Sequence, residues 1–242
     1  MATKAFIFDI YKTLLNVTFR TPEEREELWQ KLYVRFFGKN AFISFQAFSE
    51  ECDRLISWQH EQLKSRGIIF PEINWEEIVK LALPEVLNLK DSEFDDFIFQ
   101  QSRVWHSVEM QPEVADFLKF AKSKGAILGI ASNCQNYTLR ELEAALKQFG
   151  LSMGIFESDL CFYSYRYGFS KPNPHVFRIL NIRLENMGIK PHETMMIGDS
   201  IENDILPSRQ FNWDYWLIND IKLDLYENSG TWNELKSKIK MG

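Results

Sequence analysis

Several side chains that are suited to chemistry lie where short apolar segments of the chain end. Two carboxylates brought together from different strands form a site for a hard cation, and oxygen ligands suit Mg²⁺. A lysine nearby balances anionic charge, while hydroxyl and amide groups bind oxygen atoms. Such a set supplies the nucleophile, the metal site and the fixed cation that phosphoryl transfer to an aspartate requires. The residues are Asp9, Ser132, Asn133, Lys171, Asp199 and Asp204.

Parallel β-strands would bring these residues to one place. The run Ala5–Phe8 ahead of Asp9 is apolar throughout, which is typical of a strand buried on both faces. Because ligands bind at the carboxyl ends of strands in open parallel sheets, we expect these side chains at one edge. Strand and helix patterns alternate after residue 111, which predicts a doubly wound α/β sheet. The strands predicted after the first are 126–131, 160–163, 194–197 and 214–218.

Residues 16–107 show a helical pattern instead. Thr21-Pro22-Glu23-Glu24 is typical of a capping box with proline at the first helical position, and apolar residues then recur at helical spacing. Four amphipathic helices in a row predict an all-helical cap domain of residues 16–107, and residues 1–15 and 108–242 are then the α/β core domain. An insertion after the carboxyl end of a strand emerges over the edge where ligands bind, so it can act as a lid.

Composition restricts the compartment and the partners. The chain has 242 residues, of which 45% are hydrophobic, and this is enough for a sizeable core. Its formal net charge is −6 and its charges are interspersed, so nucleic acid and anionic membranes are poor partners. The three cysteines lack CxxC spacing, which favours a reducing compartment over disulfides or a zinc site. With no signal-like start and no apolar run of membrane length, we expect a cytoplasmic protein.

Taken together, four segments resemble the four motifs of the haloacid dehalogenase superfamily of hydrolases. Each motif is short, but all four occur in the order of that family, and each lies at or just after the end of a predicted strand. The resemblance implies a Rossmann-like core, and an insertion between the first and second motifs matches the branch with an all-helical cap. The segments are Phe8-Asp9-Ile10-Tyr11-Lys12-Thr13-Leu14, Ile130-Ala131-Ser132-Asn133, Gly168-Phe169-Ser170-Lys171-Pro172-Asn173-Pro174 and Ile197-Gly198-Asp199-Ser200-Ile201-Glu202-Asn203-Asp204.

The resemblance also implies a role for each matching carboxylate. Asp9 would be the nucleophile that attacks phosphorus and forms an aspartyl-phosphate. Mg²⁺ would be the cofactor, bound by the Asp9 carboxylate, the backbone carbonyl of Tyr11 and the carboxylate of Asp199. Asp204 would lie close to the metal or act through water.

The remaining motif residues would bind the substrate. Ser132 and the backbone of Asn133 would hold phosphate oxygens, and Lys171 would neutralise both the nucleophile and the transferring group. Thr13 would fix the motif loop, and Tyr11 would also contact the substrate.

Simpler interpretations exist for the same residues taken one at a time. Ser132 could cap the helix that follows it. Lys171, which precedes Pro172, could be a solvated lysine in a turn, and Asp204 could cap a helix ahead of Pro207.

Tyr11 departs from the phosphatase pattern, which has a second aspartate two positions after the nucleophile. That aspartate protonates the leaving oxygen and later activates water, and a phenol with a pKa of about 10 is a poor base at neutral pH. Asp-x-Tyr resembles instead the 2-haloacid dehalogenases of the superfamily, in which no leaving oxygen needs a proton. Those enzymes need no metal and use a cap arginine for the substrate carboxylate, for which Arg35 is one match, whereas Asp199 restores a metal ligand.

Three hypotheses follow from these motifs. The first is a Mg²⁺-dependent phosphatase, slowed by Tyr11, that acts on a small phosphorylated metabolite. The second is a 2-haloacid dehalogenase, and the third is a catalytically weak protein that binds a phosphorylated ligand. The expected partner is thus a small phosphorylated or 2-halo acid substrate, and the chain is expected to be a monomer or a homodimer.

Overall fold

A computed structural model describes residues 3–219 and 226–239. The strands in this part of the chain are β1 (Ala5–Phe8), β2 (Asn16–Phe19), β3 (His106–Glu109), β4 (Ile127–Ser132), β5 (Cys161–Tyr163), β6 (Thr194–Gly198), β7 (Asp214–Ile218) and β8 (Ser229–Gly230). The α-helices are α1 (Pro22–Phe37), α2 (Phe45–Ser65), α3 (Trp75–Ala82), α4 (Asp91–Trp105), α5 (Pro112–Ser123), α6 (Asn136–Gln148), α7 (Pro174–Asn186), α8 (Leu206–Gln210) and α9 (Trp232–Lys238).

The central sheet has the strand order β5-β4-β1-β6-β7-β8, with all neighbours parallel. β1 lies inside the sheet, between β4 and β6, and its four residues are buried. Because successive side chains of a strand point to opposite faces, Phe6 and Phe8 join one apolar cluster with α5 and α9, and Ala5 and Ile7 join another with α7. The doubly wound α/β fold predicted from the sequence is confirmed.

Helices α1 to α4 form a helical insertion between β2 and β3, defined here as residues 22–105. The predicted capping box is present: Thr21 Oγ1 accepts a hydrogen bond from the Glu24 amide, and the Glu24 carboxylate accepts one from the Thr21 amide. The insertion buries an apolar cluster of its own around Trp29, whose ring packs against Phe48 with a centroid distance of 4.8 Å. Its helices therefore share an apolar cluster that is distinct from the two clusters on the faces of the sheet.

An antiparallel ribbon of β2 and β3, which the helical pattern did not predict, joins this insertion to the sheet. The side chains of β2 are mostly exposed, so its sequence lacks the apolar alternation of a half-buried strand. Pairing with β3 is what stabilises it, and β3 lies about ninety positions later in the chain. The ribbon spans the expected boundary at residues 107 and 108, so the division into a core and a cap remains a prediction.

The insertion also contacts the sheet edge beyond this ribbon. The segment Phe70–Glu72 pairs with the loop after β5: the Glu72 amide donates to the Gly168 carbonyl at 3.1 Å and the Ser170 amide to the Phe70 carbonyl at 2.9 Å. These bonds place the insertion beside the loop that carries Lys171. Among the described residues, no helix is both long enough and apolar enough to cross a bilayer.

Candidate active site

Asp9 follows β1 directly and begins a tight loop. Its amide donates a hydrogen bond to the carbonyl of Ile197 at 3.0 Å. Because Ile197 belongs to β6, this bond fixes the backbone of Asp9 against the neighbouring strand. The loop then closes on itself, since the Lys12 amide donates to the Leu15 carbonyl at 2.6 Å. This closure requires a left-handed backbone at Lys12, with φ of +58°, a conformation that side chains other than glycine adopt at a cost.

Lys171 joins two carboxylates in the interior. It is 3% exposed, and its Nζ lies 2.8 Å from Asp9 Oδ1 and 2.5 Å from Asp204 Oδ1. Burial lowers the pKa of Lys171, but the neighbouring Asp204 and Asp9 more than offset this effect, so the pKa is raised and the ammonium stays charged. The interpretation of Lys171 as a solvated turn lysine is wrong.

The Asn133 side chain forms two hydrogen bonds with the backbone of Lys171, one with its amide and one with its carbonyl. Asn133 Oδ1 accepts from the Lys171 amide at 2.7 Å, and Asn133 Nδ2 donates to the Lys171 carbonyl at 2.9 Å. Asn133 therefore links the end of β4 to the loop after β5. Two loops that are distant in sequence thus present the ammonium group to Asp9.

Asp204 uses both of its oxygens within the protein. Oδ1 faces Lys171 and Oδ2 accepts from the Ser200 amide at 3.1 Å. A Cβ atom at Gly198 would lie 2.2 Å from Asp204 Oδ2, so this position of Asp204 requires a glycine at 198. Burial raises the pKa of Asp204, and Lys171 opposes that rise. Asp204 is not the N-cap of α8, where Ile205 occupies that position.

Asp199 brings a third carboxylate to the same place. Oxygen atoms of Asp9, Asp199 and Asp204 lie within 4.8 Å of one another. Burial and the charge of Asp9 raise the pKa of Asp199, which forms no ion pair with lysine or arginine among residues 3–219 and 226–239. A divalent cation would relieve this repulsion, and a set of carboxylate oxygens matches the preference of Mg²⁺.

Two buried hydroxyls lie in the first and second motifs. Ser132 Oγ and Thr13 Oγ1 have no hydrogen-bond partner among the described residues. A buried hydroxyl without a partner is costly, so both groups suit a ligand oxygen. Ser132 is the last residue of β4, and the N-cap of α6 is Gln135, so the capping role considered for Ser132 is wrong.

The hydroxyl of Tyr11 forms its hydrogen bonds with side chains of α6, and not with these carboxylates. Its hydroxyl donates to Glu141 Oε2 at 2.6 Å and lies 3.0 Å from Thr138 Oγ1. Burial, with smaller effects of Tyr137 and Glu141, raises the pKa of the phenol well above its usual range. Glu141 was missed by sequence reasoning because it lies within a helix and shares no motif with Tyr11.

A cavity of about 300 Å³ opens beside the carboxylates and provides room for a small substrate. Arg35 is not among the residues that line this cavity. Its guanidinium forms an ion pair with Asp96 at 2.7 Å, and the residue borders a separate cleft on the helical insertion. The residues that line the cavity are Asp9, Tyr11, Lys12, Asn133, Lys171, Asp199, Ser200, Asn203 and Asp204.

Comparison with known families agrees with this arrangement. The sequence pattern of haloacid dehalogenase-like hydrolases matches residues 3–212. The chain belongs to this hydrolase family. The superfamily expected from the four motifs is thereby confirmed, and the protein is a hydrolytic enzyme.

Two relatives of this hydrolase align with different shares of the chain. An uncharacterized hydrolase of Schizosaccharomyces pombe is 24% identical over 215 residues, which are 87% of this chain and 88% of the relative. The glyceraldehyde 3-phosphate phosphatase of Methanothermobacter thermautotrophicus is 32% identical over 109 residues, which are 45% of this chain and 44% of the relative.

Solved structures with this fold carry both chemistries that the motifs suggest. A HAD phosphatase from Thermococcus onnurineus has a TM-score of 0.59 at 22% identity, and the match covers 97% of both chains. A 2-haloacid dehalogenase from Pseudomonas syringae pv. Tomato has a TM-score of 0.61 at 17% identity, with the same coverage. At these identities the comparison shows the fold alone, so the site must decide between the two reactions.

Proposed function

We propose that this hydrolase is a Mg²⁺-dependent phosphatase that acts on a small phosphorylated metabolite through an aspartyl-phosphate on Asp9. The observation that carries the proposal is the proximity of the Asp9 and Asp199 carboxylates, which follow different strands. Both line a cavity that also contains a buried lysine, Lys171. A reaction at carbon needs no second carboxylate beside the nucleophile. Transfer of a phosphoryl group needs a cation there to balance its charge.

Asp9 is the proposed nucleophile. One of its carboxylate oxygens attacks phosphorus while the bond from phosphorus to the leaving oxygen breaks. Lys171, whose Nζ lies 2.8 Å from Asp9 Oδ1, would stabilise the negative charge that develops in the transition state. Asp204 and Asn133 hold Lys171 in this position, so they would contribute to catalysis by orienting its ammonium group towards Asp9.

Ser132 is proposed to bind the phosphoryl group, and Thr13 is proposed to support the loop that carries Asp9. The Ser132 hydroxyl and the Asn133 backbone would bind phosphate oxygens, and Thr13 would support the loop of the nucleophile. The buried hydroxyl of Ser132 lacks a protein partner in the described part of the chain, which supports its contact with a ligand oxygen.

The metal site in this proposal consists of Asp9, Asp199 and the backbone carbonyl of Tyr11, with Asp204 nearby. Bound Mg²⁺ would supply positive charge that neutralises the phosphoryl oxygens. The raised pKa of Asp199 supports this assignment, because burial beside Asp9 leaves the carboxylate in need of a cation.

In this proposal Tyr11 does not supply a proton to the leaving oxygen. Tyr11 occupies the position of the usual aspartate, but its hydroxyl donates to Glu141 and its raised pKa disfavours proton release. The leaving group must therefore depart without the help of Tyr11. We expect slow turnover of alkyl phosphates and faster turnover of esters whose leaving group is stable as an anion, such as p-nitrophenyl phosphate.

Turnover of both kinds of ester with Mg²⁺ tests this function. We expect Mg²⁺-dependent release of phosphate that EDTA stops, faster for p-nitrophenyl phosphate than for glycerol phosphate. Asp9→Asn is expected to lower the rate by about 10³-fold or more because the nucleophile is lost. Thermal stabilisation by phosphate esters without any product would indicate a binding protein instead.

A 2-haloacid dehalogenase is the second candidate, and Tyr11 is the observation that favours it. The reaction would release halide from 2-chloropropionate in the presence of EDTA. Against this candidate, Arg35 is paired with Asp96 outside the Asp9 cavity, so it is not placed to bind the carboxylate of a 2-halo acid. Absence of released halide would eliminate the dehalogenase.

A further inference from the structure

Tyr11 belongs to a buried polar cluster that the proposed phosphatase chemistry leaves unexplained. Glu141 is its centre: Oε2 accepts from the Tyr11 hydroxyl at 2.6 Å, while Oε1 lies 3.1 Å from His106 Nε2 and 3.4 Å from Ser102 Oγ. The rings of Tyr11 and His106 also meet edge to face at 5.6 Å between centroids. The carboxylate therefore contacts two segments that lie far from each other in the chain, the Asp9 loop and the connection from α4 to β3.

This carboxylate is expensive to bury. Glu141 is 4% exposed, and no lysine or arginine of the described ranges lies within ion-pair distance of it. The contacts with hydroxyls and an imidazole satisfy its oxygens, but an apolar side chain at this position would avoid the loss of hydration altogether. A buried acid of this kind is useful where it selects one arrangement of the segments around it.

The segments that Glu141 joins are those that connect the nucleophile to the helical insertion. Tyr11 lies two residues after Asp9. Ser102 lies in the last turn of α4, and His106 begins β3, so both belong to the connection by which the helical insertion returns to the sheet. Glu141 itself lies on α6, the helix that follows β4 and the Ser132-Asn133 pair.

We propose that Glu141 is a positioning residue that fixes the Asp9 loop relative to the base of the helical insertion, with Tyr11 as the link. In this arrangement the Tyr11 hydroxyl serves as an anchor, and its bond to Glu141 sets where Asp9 lies within the cavity. The part of the proposal that concerns rates rests on the proposed phosphatase function. The part that concerns the position of the loop does not.

Two variants remove the link with little change of shape: Tyr11→Phe removes the hydroxyl, and Glu141→Gln removes the charge. Glu143→Gln is the matched control, because Glu143 lies on the same helix and pairs with Lys147 at the surface. Amide hydrogen exchange measured by mass spectrometry reports on the loop without any substrate. We expect exchange in residues 10–15 and 103–109 to be about tenfold faster in both variants, and unchanged in the control.

Kinetics separate positioning from a merely structural contribution. At a temperature where every variant is folded, we expect kcat for p-nitrophenyl phosphate to fall about tenfold in each variant, with KM within about twofold of the parent, because a displaced nucleophile slows chemistry. The double variant should lose no more than either single variant, since both remove one link.

Each result bears on the proposal in a definite way. Unchanged exchange in the two segments, or faster exchange spread over the whole chain, would overturn it. Multiplying losses of kcat in the double variant, or an unchanged kcat, would equally overturn the positioning role. If the parent hydrolyses no ester, the phosphatase function fails, and the exchange measurement alone decides whether Glu141 fixes the loop.

Discussion

Two side chains of one short loop enter two buried polar clusters that differ in charge balance. Asp9 meets Lys171 and Asp204, and Asp199 adds a further carboxylate. Tyr11, two residues later, meets Glu141 and, through it, His106. The first cluster has three carboxylates for one buried ammonium, whereas in the second both oxygens of the single carboxylate lie within hydrogen-bond distance of protein groups.

This difference separates a site that needs a ligand from one that does not. A divalent cation would relieve the excess negative charge in the Asp9 cluster, so that cluster is suited to bind a metal and then a phosphoryl group. The Tyr11 cluster is satisfied within the protein and gains nothing from a ligand. We therefore expect substitutions in the first cluster to affect metal binding and chemistry, and substitutions in the second to affect geometry.

Removal of the ammonium should have the largest effect. Lys171→Met leaves Asp9 and Asp204 buried together without a cation, so we expect the free energy of unfolding to fall by about 3–5 kcal/mol. Urea denaturation in EDTA measures this change. Lys147→Met, which breaks an exposed ion pair with Glu143, should cost no more than about 0.5 kcal/mol, and equal losses in the two variants would contradict the assigned charge balance.

Metal affinity tests whether Asp199 completes the first cluster. Asp199→Asn removes a charged ligand, and we expect Mg²⁺ affinity, measured by titration calorimetry, to fall by about 100-fold or more. Glu202→Gln is the control, because Glu202 is exposed on the same segment and should leave affinity within about twofold. Similar losses of Mg²⁺ affinity in both variants would mean that Asp199 acts only through its negative charge and is not a direct metal ligand.

A carboxyl group at position 11 tests whether the missing proton donor can be restored. Both Tyr11→Asp and Tyr11→Phe break the bond to Glu141, so the ratio of their rates isolates proton donation from positioning. We expect Tyr11→Asp to exceed Tyr11→Phe about tenfold on glycerol phosphate, because only the alkyl leaving group needs a proton. The two should be equal on p-nitrophenyl phosphate, and a ratio near one for both esters would refute the missing-donor explanation.

The smallest effect concerns the backbone of the loop that both clusters share. Lys12→Gly relieves the left-handed conformation at φ of +58°, and we expect a gain of about 0.5–1 kcal/mol in the free energy of unfolding. Asn212 has the same φ outside the site, but asparagine tolerates it, so Asn212→Gly should change stability less. Chemical denaturation decides this, and a loss of stability in Lys12→Gly would show that its side chain contributes more than the strain costs.

Local patterns in the sequence predicted much of this molecule. The apolar run before Asp9 indicated a strand buried on both faces, and the capping box at Thr21 indicated the start of a helix; both are confirmed. The β2–β3 ribbon was not predicted, because its partner strands lie far apart in the chain and β2 is exposed. Pairing between two short strands about ninety residues apart leaves no local signal in either segment.

What the sequence determined by itself is the set of polar groups at the strand ends. Residue types and spacing follow from the chain alone, and parallel strands then bring Asp9, Lys171 and Asp199 together at one edge. Only the tertiary structure decided how each group is paired. Lys171 is buried between two carboxylates, and Tyr11 turns towards Glu141, because burial and hydrogen-bond partners depend on which distant segments pack against a side chain.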